Sequence, residues 1–187
     1  MTSTTAPRVP RLVPSMLAVL LLPAMGLVAG CGSGSGVAPT TWAKSVCTAL
    51  SPWRSTLATL TDSTQAQLTS STTPAQAKEN LVGLLSGAET ASETARRRVA
   101  DAGVPDVDGG RDIADRFVAS LRTARDAYAR ARGAVAGLDP VDAQVFYSSV
   151  ATAFDQLQRD YAASALDTDK LSSEPLRKAF NEVPECH

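Results

Sequence analysis

The chain has 187 residues, 44% of them apolar and 20% charged, with a net charge of −1. That length suits one domain with a tail, and so mild a charge gives no electrostatic reason to expect nucleic acid as a partner. His187 is the only histidine, so no paired-imidazole metal site and no HExxH motif can be assembled.

Arg8 and Arg11 are the only charges before Lys44, and Leu12 to Ala29 is almost wholly apolar. A basic segment followed by an apolar one has the layout of a secretory signal. The competing reading is a membrane span, because about 18 apolar residues approach its minimum length. Pro14, Pro23 and the glycine-rich exit favour the signal. The stretch closes on Leu27-Val28-Ala29-Gly30-Cys31, which resembles the lipobox of bacterial lipoproteins. The resemblance implies cleavage after Gly30 and a Cys31 thiol joined to diacylglycerol. Val28 departs from the pattern, which more often has Leu there. Acyl chains such as palmitate would anchor the chain firmly, each buried methylene contributing about 0.8 kcal/mol. The expected address is therefore the extracytoplasmic face of the cell membrane. The expected domains are a signal over 1–30, an acylated cysteine and flexible linker over 31–40, and a folded domain over 41–187. Loss of Arg8 and Arg11 with the signal moves the net charge from −1 to −3.

Gly32-Ser33-Gly34-Ser35-Gly36 and Val37 to Thr40 form the linker, whose nine residues reach roughly 15 to 18 Å. It lacks the serine of a nucleophile elbow and the Gly-Lys-Ser/Thr ending of a phosphate loop. Beyond it, Trp42, Val46, Leu50, Trp53, Leu57 and Leu60 recur three or four residues apart, predicting a helix capped by Thr41. Pro52 either kinks or restarts that helix, and the unbroken phase of the stripe favours one kinked element. Thr73-Pro74 opens a second helix, buried through Leu81, Leu84, Leu85, Ala88, Ala95, Val99 and Ala102 and ended by Gly103 and Pro105. A third carries Ile113, Phe117, Leu121, Ala124, Tyr128, Ala131 and Val135, with Gly137 closing it. Asp139-Pro140 is read as the start of a fourth, burying Ala143, Phe146, Val150, Ala153, Leu157 and Tyr161. A short helix follows from Glu174 to Glu182, facing inward through Leu176, Ala179 and Phe180, before Pro184. No stretch alternates with period two. The fold expected is all-α, an antiparallel four-helix bundle with a short C-terminal helix.

Of three cysteines, Cys31 is taken by the anchor, so Cys47 and Cys186 are left as a pair in an oxidising compartment. A disulfide there would close a loop of about 140 residues and stabilise the fold by up to about 5 kcal/mol in the chain-entropy picture. The alternative is two unrelated buried thiols. The terminal patterns, Trp42-x3-Val46-Cys47-x2-Leu50-x2-Trp53 and Leu176-x2-Ala179-Phe180-x3-Pro184-x-Cys186, resemble small secreted lipoproteins of actinobacteria. That resemblance implies a helical domain whose terminal cysteines pair, and it brings no activity to transfer.

Candidate chemistry is sparse. Asp106, Asp108 and Asp112 outline a calcium-like loop, but Gly110, Arg111 and Phe117 stand where that loop needs an acid or amide, a glycine and a glutamate. Asp112 with Asp115, or Asp155 with Asp160, are carboxylate pairs better read as solvated surface. Arg96, Arg97 and Arg98, with Arg111, Arg122, Arg125 and Arg132, could dock an anionic envelope polymer or lipid headgroup, or simply pair with neighbouring acids. Thr69 to Thr73 is either a polar turn or a sugar acceptor. No cofactor and no catalysis are expected. The expected function is a lipid-anchored module that engages an envelope protein or polymer. The alternative is a carrier of a small apolar ligand or lipid, with Trp42, Trp53, Phe117 and Tyr128 lining its pocket. Cys31→Ala should abolish acylation and leave the protein unprocessed or released; unchanged palmitate labelling and membrane retention would defeat the lipoprotein reading.

Overall fold

Pro39 begins the first helix, two residues before the expected cap at Thr41. Its ring presets a helical φ, and its missing N–H is one that no helix start can satisfy. The computed structural model describes residues 36–163 and 171–187. The expected signal, Cys31 and the glycine-serine run to Ser35 lie outside the described residues. Five α-helices are described: α1 Pro39–Gln67, α2 Pro74–Asp101, α3 Gly110–Ala136, α4 Ala143–Ala162 and α5 Glu174–Glu182, with a 3-10 turn at Pro184–Cys186. No strand occurs among them. The one bridge joins Val37 to Pro105. None of these helices is long and apolar enough to cross a membrane.

Pro52 lies inside α1, which runs through it as one element. Thr48 and Pro52 are both exposed, so water can solvate the carbonyl that the missing N–H leaves unpaired. α2 starts with a full capping box: the Thr73 hydroxyl accepts from the Gln76 N–H, and the Gln76 side chain accepts from the Thr73 N–H. It ends at Gly103, whose φ of 76° is accessible to glycine at little cost. The following turn brings Gly110 so close to Pro105 that an added Cβ would lie 2.1 Å from the Pro105 carbonyl oxygen. Only glycine fits there.

The start of α4 corrects the expectation. Asp139 accepts from the Val141 N–H in a local turn, so Asp142 becomes the cap by accepting from the Val145 N–H. The helix therefore begins at Ala143, and Ala143 itself is exposed rather than buried. α5 keeps its expected bounds, with the Ser173 hydroxyl as its cap.

The helices form a bundle with two half-cores. The first joins Trp42 and Val46 of α1, Ala95 and Val99 of α2, Ile113, Phe117 and Leu121 of α3, and Leu176, Ala179 and Phe180 of α5. The second joins Leu81 and Leu85 of α2 to Ala131 and Val135 of α3, covered by Val150, Ala153, Phe154 and Leu157 of α4. α2 and α3 are the most extensive pair and span both half-cores. Buried alanines at 88 and 95, and at 124, 127 and 131, allow a close approach of helices. α4 and α5 thus share the fourth position of the bundle, one covering each half-core.

Aromatic rings hold the first half-core. Trp42 is fully buried, its ring edge-on to Phe117 at 5.2 Å and to Phe180 at 6.0 Å, while Phe117 and Phe180 stack at 5.8 Å. Such pairs add about 0.5 to 1.5 kcal/mol each beyond area burial. The indole N–H of Trp42 donates to the Gly103 carbonyl at 2.9 Å, tying α1 to the end of α2. Cys47 and Cys186 form a disulfide, with Cα atoms 4.9 Å apart, that fastens the C-terminal turn to α1. Lys44 and Glu185 pair beside it at 2.7 Å. Cys186→Ala, paired with Cys47→Ala to leave no free thiol, should cost about 2 to 4 kcal/mol of unfolding free energy. In hydrogen exchange, α5 should lose protection before α2 and α3; equal loss across all helices would contradict the half-core division.

Candidate functional site

The helical spacing of α1 places Cys47, Leu50, Trp53 and Arg54 along one side, and that of α3 does the same for Phe117, Ser120, Leu121 and Ala124. Where these two sides diverge, they bound a half-open cleft of about 430 Å³. Tyr161 closes it from the last turn of α4. Phe180, Asn181, Cys186 and His187 close it from α5 and the C-terminal turn. The volume lies within the range of roughly 300 to 1,000 Å³ typical of small-molecule sites.

The walls are fixed by contacts behind them. Trp53 donates its indole N–H to the Ser92 hydroxyl at 3.0 Å, and fully buried Ser92 donates in turn to the Ala88 carbonyl at 2.8 Å. Ser92 is therefore satisfied as donor and acceptor, and the Trp53 ring is held in one orientation. Phe117 and Phe180 are locked by Trp42. The disulfide forms part of the wall, and the His187 ring meets the Asn181 carbonyl at 3.1 Å.

The cleft's electrostatics are simple. Among the described residues that line it there is no Asp or Glu, whereas Arg54 is there, exposed and with no ion-pair partner among the described residues. Burial pushes the Tyr161 hydroxyl above its ordinary pKa. Tyr128, 5.9 Å from Tyr161, is pushed up to about 12 by burial and then by that neighbour.

The aromatic residues named for a carrier pocket divide. Trp53 and Phe117 line the cleft, Trp42 lies behind it in the core, and Tyr128 packs in the second half-core. Cys47 and Cys186 meet at its wall; Cys31 lies outside the described residues. Arg54 and Asn181 were not singled out from the sequence, and Tyr161 and His187 were read only as a core residue and a lone histidine, because the four come from separate segments and share no motif.

Among the described residues, five of the arginines are paired with acids. Glu93 receives Arg96 at 2.8 Å and Arg97 at 3.2 Å on its own helix, and Arg125 of α3 at 2.9 Å. Arg125 also holds Asp126, Arg132 pairs with Glu89, and Arg130 pairs with Asp160 of α4. Arg98, Arg111 and Arg122 have no ion-pair partner among the described residues. The hydrogen bond from Arg130 is the main cause that holds the Asp160 carboxyl low. Asp155 is exposed, and Asp160 points to an arginine rather than to a second acid. Among the described residues, no three metal-ligating side chains gather. Val141, Val145 and Tyr147 leave an exposed apolar ridge at the start of α4.

No family model matches this sequence, no curated protein is significantly similar to it, and no solved structure matches its fold at a significant level.

The Glu93 cluster predicts a pH dependence. The hydrogen bond from Arg96, joined by that from Arg125 and opposed by desolvation, lowers the Glu93 pKa from 4.5 to about 2. A depressed carboxyl stabilises the fold above its unfolded pKa and loses that contribution as protons are taken up. Stability should therefore fall between pH 4.5 and 2. Glu93→Gln should flatten that part of an acid titration followed by circular dichroism; an unchanged slope would show that Glu93 does not link α2 to α3.

Proposed function

We propose that this chain is a lipid-anchored, extracytoplasmic binding module without catalytic activity, and that the cleft between α1, α3 and α5 holds a small apolar molecule. The observation that carries this reading is the cleft itself: about 430 Å³, walled by Leu50, Trp53, Phe117, Leu121 and Phe180, and stiffened from behind by buried hydrogen bonds and a disulfide. A pre-formed apolar wall lowers the ordering cost of binding. The lipobox-like sequence at Cys31 supports the membrane address.

Two further features bear on the alternatives. A general acid and base need titratable groups converging on one space; among the described lining residues there is no Asp or Glu, and the only imidazole, that of His187, is exposed and meets the Asn181 carbonyl. Of the arginines considered for docking an anionic envelope polymer, Arg96, Arg97, Arg125 and Arg132 are met by Glu93, Asp126 and Glu89, while Arg98, Arg111 and Arg122 have no ion-pair partner among the described residues.

The chain contains two tryptophans, so fluorotryptophan labelling gives two fluorine resonances. Octanol, titrated into full-length protein in lipid nanodiscs, should shift the Trp53 resonance and leave that of core-buried Trp42 nearly still. Leu50→Phe, which adds bulk from α1 into the cleft, should weaken that response about tenfold. An equal response in native and variant protein would remove the cleft as the binding site.

A further inference from the structure

Several cationic groups of the bundle pair with acids of the same or a facing helix. Arg54 does not. It stands one residue after Trp53, in the lining of the apolar cleft, exposed and without a hydrogen-bond or ion-pair partner among the described residues. No Asp or Glu side chain stands beside it among the described lining residues. Asn181 and His187, both exposed, are further polar residues of its lining. The cleft thus presents apolar walls on its inside and an unbalanced positive charge at its edge.

From this arrangement we infer that the ligand is an amphiphile with a single anionic head, a carboxylate in the simplest case. Its apolar body lies against Leu50, Phe117, Leu121 and Phe180, and its head pairs with Arg54. The planar guanidinium offers two parallel N–H donors that match the two oxygens of a carboxylate. Any neutral body of the same size would gain the wall contacts but leave the arginine unmatched. A cationic head would meet like charge. This inference rests on the cleft being the binding site and adds to it the charge of the ligand.

Three probes of equal chain length separate the two claims: octanoate, octanol and octylammonium, each titrated into the full-length, fluorotryptophan-labelled protein in zwitterionic nanodiscs. Octanoate should shift the Trp53 resonance at a concentration about tenfold lower than octanol, the scale of one charge-assisted hydrogen bond at a partly solvated site. Octylammonium should bind more weakly than octanol. Added salt should narrow the gap between octanoate and octanol. Arg54→Gln, at an exposed position that the core does not use, should erase that gap while the octanol response persists; Arg54→Lys should keep part of it. Equal potency of octanoate and octanol on native protein would overturn the anionic-head inference and leave the cleft standing. A Trp53 resonance silent to all three probes would overturn the cleft reading, and the inference with it.

Discussion

Trp42 is the residue on which the first half of the molecule turns. It is fully buried where α1, α3 and α5 meet, with two phenylalanine rings against it and its N–H spent on the carbonyl of Gly103. Those contacts join segments that are 61 and 138 residues apart in the chain, which loop-closure entropy makes costly to bring together. The disulfide between Cys47 and Cys186 bears part of that cost by limiting the unfolded ensemble. Without this junction α5 would have little to hold it. Nine residues make an isolated helix too short to persist in water.

The same junction creates the cleft. Phe117 and Phe180 are needed by Trp42 on one side and so present their other edges outward. Trp53 is turned by its hydrogen bond to Ser92, and α4 ends with Tyr161 at the far lip. Because α4 and α5 divide the fourth position of the bundle between them, neither fills the space at their boundary. A single long fourth helix would have packed that gap with side chains. The proposed binding role and the split fourth helix are thus two consequences of one arrangement.

Charge follows a parallel division. Facing helices α2 and α3 place Glu89 and Glu93 against Arg132 and Arg125, which satisfies these groups without deep burial. Exposed pairs of this kind contribute little individually, and a shared carboxylate such as Glu93 matters more as an anchor between helices. The network pairs Arg96, Arg97, Arg125, Arg130 and Arg132 with acids, and it does not reach Arg54 at the cleft.

Local chemistry was legible in the sequence. Apolar residues at three- and four-residue spacing, Thr73-Pro74, Gly103 and Gly137 announced the five helices and most of their ends, because caps and periodicity act within one or two turns. The fourth start was misplaced to Asp139, since two aspartates compete as caps and only the folded turn shows which N–H each one meets. Pairing of Cys47 with Cys186 was legible from the count of cysteines, whereas the cleft was not. Its lining comes from α1, α3, α4, α5 and the C-terminal turn, and no linear pattern encodes where helix sides diverge. The sequence by itself determined which segments are helical, because caps and periodicity depend on neighbours along the chain. Tertiary structure alone decided that Trp42 is core while Trp53 is wall, and that Arg54 stays unmatched, because those outcomes depend on which helices approach and how far apart they lie.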